Sequence, residues 1–383
     1  MNVKPLIAVR MEAIFMKKIN VGIVGCGNIS SIYFENLKNT FLNTNVYACA
    51  DINPDAANTA SEKWEVPVMT VDEMMACKDI EIIVNLTTPQ SHYSICKQAL
   101  LAGKHTHTEK PLSLSFEEGC ELVKLAEEKS LMLGGAPDTF MGAGIQTCRK
   151  LIDDGFIGDL VGATAFLLCQ GHEGWHPSPE FYYQFGGGPM FDMGPYYLTA
   201  LVNLLGGVTE LHGMTSMTYP TRTVTSKPKF GTIVEVEVPT HVNGLLRFES
   251  GAIGNIITSF DVRKTTLPCI EVYGTAGTLI VPDPNGFGGP VRLMTKNGGP
   301  EFKEIPYTHI YPENSRGIGV ADMAQCIIDG NLNNRASGCL ANHVLEIMSG
   351  IHVSNDTKKS YMMTTKYERN APMPTNLIKG CLS

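Results

Sequence analysis

The stretch Ile19-Asn20-Val21-Gly22-Ile23-Val24-Gly25-Cys26-Gly27-Asn28-Ile29-Ser30 decides the fold of this chain. Its first six residues are mostly apolar and rich in β-branched side chains, which suits a strand buried on both faces of a parallel sheet. The run enters a glycine turn directly, and a helix is expected to follow to about residue 37. Strand, glycine turn and helix form the context of a dinucleotide fingerprint. Gly25 permits the tight turn, and Gly27 lets the backbone approach a pyrophosphate. Asn28 and Ile29 open the helix, whose amino end offers N–H groups to the phosphates. Ser30 stands at the third glycine position and is small enough to pack on the strand. A turn that holds no ligand is the competing reading of the same residues.

A second strand, 45–50, ends at Asp51. A carboxylate at that distance from the turn can accept the adenosine ribose hydroxyls and would repel a 2′-phosphate. No Arg or Lys follows in Ile52-Asn53-Pro54, so NAD is expected rather than NADP. The alternative role for Asp51 is capping the next helix. Strand 80–86 leads to Thr87-Thr88-Pro89-Gln90-Ser91-His92, with Ser91 expected to cap a helix to residue 101. Thr87, Pro89 and His92 are cofactor candidates on this turn. Strand 104–108 runs into Thr108-Glu109-Lys110-Pro111, and Ser115 with Glu118 marks the next helix start. A strand at 131–133 completes the alternation, which implies a doubly wound parallel sheet. The glycine turn, Glu109 and Lys110 then share the carboxyl edge, where such sheets bind ligands. Glu109 is assigned to the cofactor ribose.

Beyond about residue 136 the pattern changes to longer strands: 160–168, 210–219, 234–248, 253–260, 270–273 and 278–281. This reads as an α+β domain with a large open, mostly antiparallel sheet. The expected organisation is an extension at 1–15, a dinucleotide-binding domain at 16–136 and a substrate and oligomerisation domain at 137–315. Helices and a tail at 316–383 are expected to pack back on the first domain. The loop 282–289 is expected to be exposed, and His309 to be solvated.

In Gly186-Gly187-Gly188-Pro189-Met190-Phe191-Asp192-Met193-Gly194-Pro195-Tyr196-Tyr197, Asp192 and Tyr196 are spaced to share one helix face. Pro195 suits only a first helical turn, so Asp192 is expected near the helix start. A cap at Asp192 and a core Tyr196 are the bland alternatives. In His172-Glu173-Gly174-Trp175-His176-Pro177 the histidine spacing suggests metal, but Gly174 and Pro177 spoil a helix and no third ligand follows, so no metal is expected. Trp175 can lie on the C–H side of a sugar while His176 bonds a hydroxyl. A buried core indole is the alternative for Trp175. Arg316, at another helix start, can reach back to the cleft or remain a surface charge.

The chain has 383 residues, enough for two domains, with 43% hydrophobic and 18% charged residues. A formal charge of −8 without a basic face disfavours nucleic acid. No apolar run is long enough to span a bilayer, and the 11 cysteines form no Cys-x-x-Cys pair. A reducing cytoplasm is the expected compartment.

Together these motifs resemble the Gfo/Idh/MocA oxidoreductases over nearly all of residues 17–370. The resemblance rests on the glycine turn, Asp51, Thr108-Glu109-Lys110-Pro111, the segment around Asp192, and Glu271-Val272-Tyr273-Gly274-Thr275-Ala276-Gly277-Thr278-Leu279. It implies a homo-oligomeric nicotinamide enzyme acting on a sugar, sugar derivative or inositol, with Lys110 and Asp192 facing the reacting carbinol. The family pattern commonly has His four residues after the aspartate, where this chain has Tyr196. Lys110, Tyr196 and His176 are therefore the candidate proton acceptors. Burial beside a positive nicotinamide is expected to bring Lys110 from about 10.4 towards about 7–8. The departure resembles branches that oxidise the C3 hydroxyl of pyranosides. Other readings are an enzyme with tightly held NAD that cleaves glycosidic bonds by oxidation and elimination, an inositol dehydrogenase, and a non-catalytic binding protein.

Overall fold

A computed structural model describes residues 17–383, so the 1–15 extension lies outside the described residues. β1 (Ile19–Val24) is followed by the glycine turn and α1 (Ser30–Glu35), which widens into a π-helical turn at Asn36–Thr40. β2 (Thr44–Ala50) leads to α2 (Pro54–Trp64) and α3 (Val71–Ala76). Next come β3 (Ile82–Asn85), α4 (Pro89–Leu101), β4 (His105–Thr108), α5 (Phe116–Lys129) and β5 (Leu133–Gly135). The five strands form one parallel sheet in the order β2-β1-β3-β4-β5. β3 is buried along its whole length because helices cover both faces. α4 starts earlier than the Ser91 cap predicts: Thr88 is the N-cap and Pro89 takes the first helical position, where its missing N–H costs nothing. Ser115 does cap α5, accepting from Glu118 N at 3.2 Å.

α6 (Ala143–Asp153) precedes the second sheet, which begins with β6 (Leu160–Leu168). α7 (Gly188–Leu205) and β7 (Val208–Ser216) follow, then a small hairpin of β8 (Thr221–Thr223) and β9 (Ile233–Glu235). The remaining strands are β10 (His241–Phe248), β11 (Ile253–Ser259), β12 (Ile270–Gly274), β13 (Gly277–Val281), β14 (Val291–Thr295) and β15 (Lys303–Ile305). α8 (Ile318–Asp329), α9 (Gly338–Thr357) and β16 (Tyr361–Met362) end the regular structure. The order is β15-β14-β13-β12-β6-β11-β10-β7-β16, antiparallel except for the β6–β11 pair. The single strand predicted over 234–248 is two, because Pro239 lies between them and has no N–H for a ladder.

β10 shows how the sheet is layered. Val242, Gly244, Leu246 and Phe248 are buried, against the alternate residues that face outwards. α7 and α9 pack on the inner face, and α9 also meets α5 and β5, while α8 meets β1 and β5. The outer face leaves Met214, Leu245 and Ile253 exposed. Two predicted surface features are packed instead. The 282–289 loop buries Pro284 and Phe287, and its carbonyls accept from Thr139 Oγ1 at 2.7 Å and from Gly144 N at 2.8 Å. His309 is buried, with Nε2 on the Met373 carbonyl at 2.9 Å.

Candidate active site

Gly25 has φ +100°, and a Cβ there would lie 2.6 Å from the Leu86 carbonyl, so the turn needs glycine on both conformational and steric grounds. A Cβ on Gly27 would meet no atom within 4 Å, which leaves open space over the turn. Ser30 Oγ donates to the Gly27 carbonyl at 2.7 Å, so the serine at the third glycine position closes the turn. Asp51 accepts from the backbone N–H of Cys26 and of Asn53, each at 2.7 Å. It ties the end of β2 to the glycine turn and does not cap α2, since Asn53 does that by accepting from Asp55 N at 3.0 Å. Open space over a glycine turn, beside a carboxylate with acceptor capacity left, fits NAD.

Glu109 accepts from Tyr33 Oη at 2.8 Å. Thr87 Oγ1 donates to Asn85 Oδ1 at 2.7 Å. His92 differs from its predicted place. It is fully buried, with Nδ1 2.7 Å from the Pro111 carbonyl and Nε2 3.0 Å from the Thr87 carbonyl. Both nitrogens face backbone carbonyls, and the neutral ring donates to one of them, so the buried His92 links the two carboxyl-edge turns. Burial pushes its pKa down.

The parallel sheet delivers Lys110 from the end of β4 to α7 of the second domain. Its Nζ lies 2.8 Å from Asp192 Oδ1 and 2.5 Å from the Asp192 carbonyl. The same ammonium stands 5.6 Å from the centre of the Tyr196 ring. α7 begins at Gly188, with Pro189 in its first turn, so Pro195 lies inside the helix and Asp192 in its second turn. Asp192 thus lies a turn further into the helix than the position of Pro195 predicts. Pro195 offers no N–H to the Phe191 carbonyl, which removes one rung of the ladder beside Asp192.

Asp192 Oδ2 faces His172 Nε2 at 3.1 Å. The sequence offers Lys110, Tyr196 and His176 as candidate proton acceptors and gives no sign that His172 is the histidine beside Asp192. His176 Nδ1 accepts from Ser178 N at 3.0 Å, and its ring is edge-on to Trp175, Phe181 and Tyr182. It has no hydrogen bond to Lys110 or Asp192 among the described residues. The two histidines look alike in a loop without periodicity, and only the loop's path separates them. Trp175 is 63% exposed, which removes the core reading of that indole. Its ring stands edge-on to His172 at 5.2 Å.

Arg316 donates to Asn285 Oδ1 at 2.7 Å and to Asn314 Oδ1 at 2.8 Å, and lies over Phe287. Burial opposes its charge, but Tyr196, Asp138 and Glu109 nearby raise its pKa. Asp138, missed in the sequence, accepts from Gly317 N at 2.8 Å and Gly319 N at 3.1 Å and so fixes the Arg316 turn. Burial lifts its pKa to about 6. Among the described residues no group of three His, Cys, Asp or Glu side chains is placed to hold a metal ion.

Burial works against the Lys110 ammonium, yet the Asp192 carboxylate outweighs it and holds the pKa above the ordinary lysine value. The expectation of a lowered Lys110 is therefore reversed in the protein alone. Burial also opposes the Asp192 carboxylate, but Lys110 and His172 bring its pKa down to about 2. Tyr196 is raised by burial, partly offset by Lys110.

Residues 19–135 match the oxidoreductase family NAD-binding Rossmann fold, and residues 145–280 match the GFO/IDH/MocA C-terminal domain. The chain belongs to the Gfo/Idh/MocA oxidoreductase family. As in that family, its first domain is an NAD-binding Rossmann domain. A relative, D-xylose dehydrogenase of Paenarthrobacter nicotinovorans, is 27% identical over 233 residues, covering 57% of this Gfo/Idh/MocA chain. That alignment spans 59% of the relative's own length. An NAD-binding oxidoreductase structure from Klebsiella pneumoniae superposes with TM-score 0.79 at 21% identity, covering 90% of this chain and 98% of the other. A levoglucosan dehydrogenase complexed with NADH and L-sorbose gives TM-score 0.77 at 20% identity, over 91% and 99% of the two chains. At these identities the structures establish a shared fold.

Proposed function

We propose that this protein is an NAD-dependent dehydrogenase that oxidises a ring hydroxyl, at C3, of a sugar or glycoside to a keto sugar. The observation that carries the reading is the contact of Lys110, Asp192 and His172 where the carboxyl edge of the Rossmann sheet meets the second domain. The named sugar dehydrogenases among its relatives support the substrate class, and Tyr196 in place of the usual His supports the glycoside branch.

Gly25, Gly27, Asn28, Ile29 and Asp51 would hold the cofactor, with Thr87, Pro89 and Glu109 at the same edge. NAD, when bound, supplies the hydride acceptor and a positive ring that opposes the Lys110 ammonium. Lys110 faces the carbinol oxygen. Lys110 first releases one ammonium proton to solvent and, once neutral, accepts the carbinol proton as the hydride leaves. Asp192 keeps Lys110 aimed, and its other oxygen orients His172. Tyr196 and Arg316 bond neighbouring hydroxyls, and Trp175 offers an apolar face at the rim. Cytoplasmic residence is supported by the free state of all the cysteines, and a homo-oligomer by the exposed outer face of the large sheet.

The test is incubation of the protein with NAD and a panel of hexoses, inositols and O- and C-glycosides, read by NADH absorbance and mass spectrometry. Loss of two hydrogens from a sugar or glycoside is expected. Glycosidic cleavage without net NADH would replace this reading by the oxidation–elimination one, and ligand binding without chemistry would end it. Lys110→Ala with NAD binding intact should abolish turnover.

A further inference from the structure

The loop between β6 and α7 presents consecutive residues to opposite sides. His172 turns to Asp192, while Glu173 turns away into a buried cluster around Arg222 on β8. Arg222 Nη1 donates to Glu173 Oε1 at 3.0 Å, and Nη2 pairs with Asp261 and donates to the Phe260 carbonyl at 3.4 Å. The guanidinium lies between the rings of Tyr183 and Tyr219, at 5.4 and 5.0 Å. Tyr183 Oη donates to Glu173 Oε2. Asp261 Oδ2 accepts from Thr218 Oγ1 at 2.6 Å and Thr240 Oγ1 at 2.7 Å. The hairpin also holds the loop by its backbone: Thr225 N and Ser226 N donate to the Glu173 carbonyl at 2.8 and 3.0 Å, and Ser226 Oγ to the His176 carbonyl.

Tyr182, with its ring centre 4.0 Å from the imidazole, and Tyr183 Oη, which accepts from His172 N at 3.3 Å, brace His172 directly, and Arg222 grips two further supports. One is Glu173, the next residue in the chain. The other is Phe260, whose ring packs edge-on against the His172 imidazole at 4.6 Å. Arg222 supplies the positive charge between Glu173 and Asp261, two carboxylates held within a cluster that solvent barely reaches. Without it they repel, and the loop loses the contact that fixes its direction. No atom of Arg222 contacts Lys110 or Asp192 in the described hydrogen bonds, so any effect on them runs through the loop.

We propose that Arg222, with Glu173 and Asp261, is a positioning residue that sets the loop so that His172 meets Asp192 and Trp175 stands at the rim. This rests on the dehydrogenase reading of the Lys110–Asp192–His172 site. A bidentate guanidinium fork fixes two carboxylates in a way that a lysine ammonium cannot, although lysine keeps the charge.

The test compares wild type, Arg222→Lys and Glu173→Gln in the NAD-loaded full chain, each also in a His172→Ala background. Both substitutions are expected to lower the melting temperature, because each disturbs a buried charge cluster, while leaving the protein folded at the assay temperature with NAD affinity near wild type. Both should lower kcat by about tenfold to a hundredfold, as misplacement of a catalytic group does, with a smaller change in KM. In the His172→Ala background the same substitutions should cost less than about twofold, because the residue they position is gone. Unchanged kcat in folded variants, or an equal loss in both backgrounds, overturns the proposal. A second readout is independent of turnover: in protein labelled with ¹⁵N-histidine, Arg222→Lys should move the imidazole resonances of His172, and unmoved resonances count against the proposal. If the sugar and glycoside panel shows no chemistry with NAD, the dehydrogenase reading fails while the resonances still decide the positioning inference.

Discussion

Replacing Asp192 by Asn and Lys110 by Met, singly and together, measures the interaction at the centre of the site. The pair is 2.8 Å apart, with 19% and 15% of the two side chains exposed, so solvent screening is limited. The fall of the Asp192 carboxyl from 3.8 to about 2 corresponds to roughly 2 kcal/mol of net favourable interaction for the charged form. The rise of Lys110 describes the same contact from its other end and is not added to it. The sign follows from the two directions. A depressed carboxyl contributes stability above its ordinary value and loses it as pH falls towards about 2. A raised lysine contributes below its ordinary 10.5 and loses it as pH climbs through its higher folded value. The pair is therefore fully effective between about pH 4 and pH 10. Each single substitution leaves one buried charge unpaired and should cost about 3–5 kcal/mol. The double substitution should cost less than the sum, because removing both charges leaves neither one buried and unpaired. Urea unfolding at pH 7 on all four proteins gives the coupling, and NADH formation on the same samples should be lost in every variant. A coupling below about 0.5 kcal/mol, within the error of additivity, would refute the account of Lys110 as held charged by Asp192.

Two further outcomes separate roles that the sequence leaves mixed. Gly25→Ala should destabilise the protein by more than about 1 kcal/mol, since its φ is positive and the added Cβ meets the Leu86 carbonyl; Gly27→Ala meets nothing, so it should unfold at the wild-type urea concentration while calorimetry shows weaker NAD binding. His172→Ala should lower kcat by about a hundredfold or more, whereas His176→Ala, away from Lys110, should change KM and leave kcat within about threefold; the reverse ranking would restore His176 as the working imidazole.

Much of the first domain is legible in the chain because its signals are local. A β-branched run, a glycine turn and a carboxylate at the end of the next strand act through neighbours a few residues away. Backbone sterics and strand burial force nearly one solution on them. The alternation of strands and helices then places Lys110 and Asp51 on one edge without any knowledge of side-chain packing. In the second domain the strands are legible and their divisions are not. Pro239 broke a predicted strand, and Pro195 sits inside a helix that the sequence reading started later.

The choice between His172 and His176 depends on Arg222, Asp261 and Phe260, which lie dozens of residues downstream and reach the loop only through the fold. His92 reads as a turn residue in the sequence, and only the fold buries it between the Pro111 and Thr87 carbonyls. The charge state of Lys110 is likewise tertiary. Burial alone would lower its pKa, and the Asp192 carboxylate brought from the other domain reverses the direction. The sequence by itself determined the Rossmann framework, the NAD-binding turn and the presence of Lys110 and Asp192, because periodicity and turn chemistry are short-range. The partner of Asp192, the proton balance of Lys110 and the anchoring of the loop were decided by tertiary structure, because electrostatic contacts depend on distances that chain spacing does not encode.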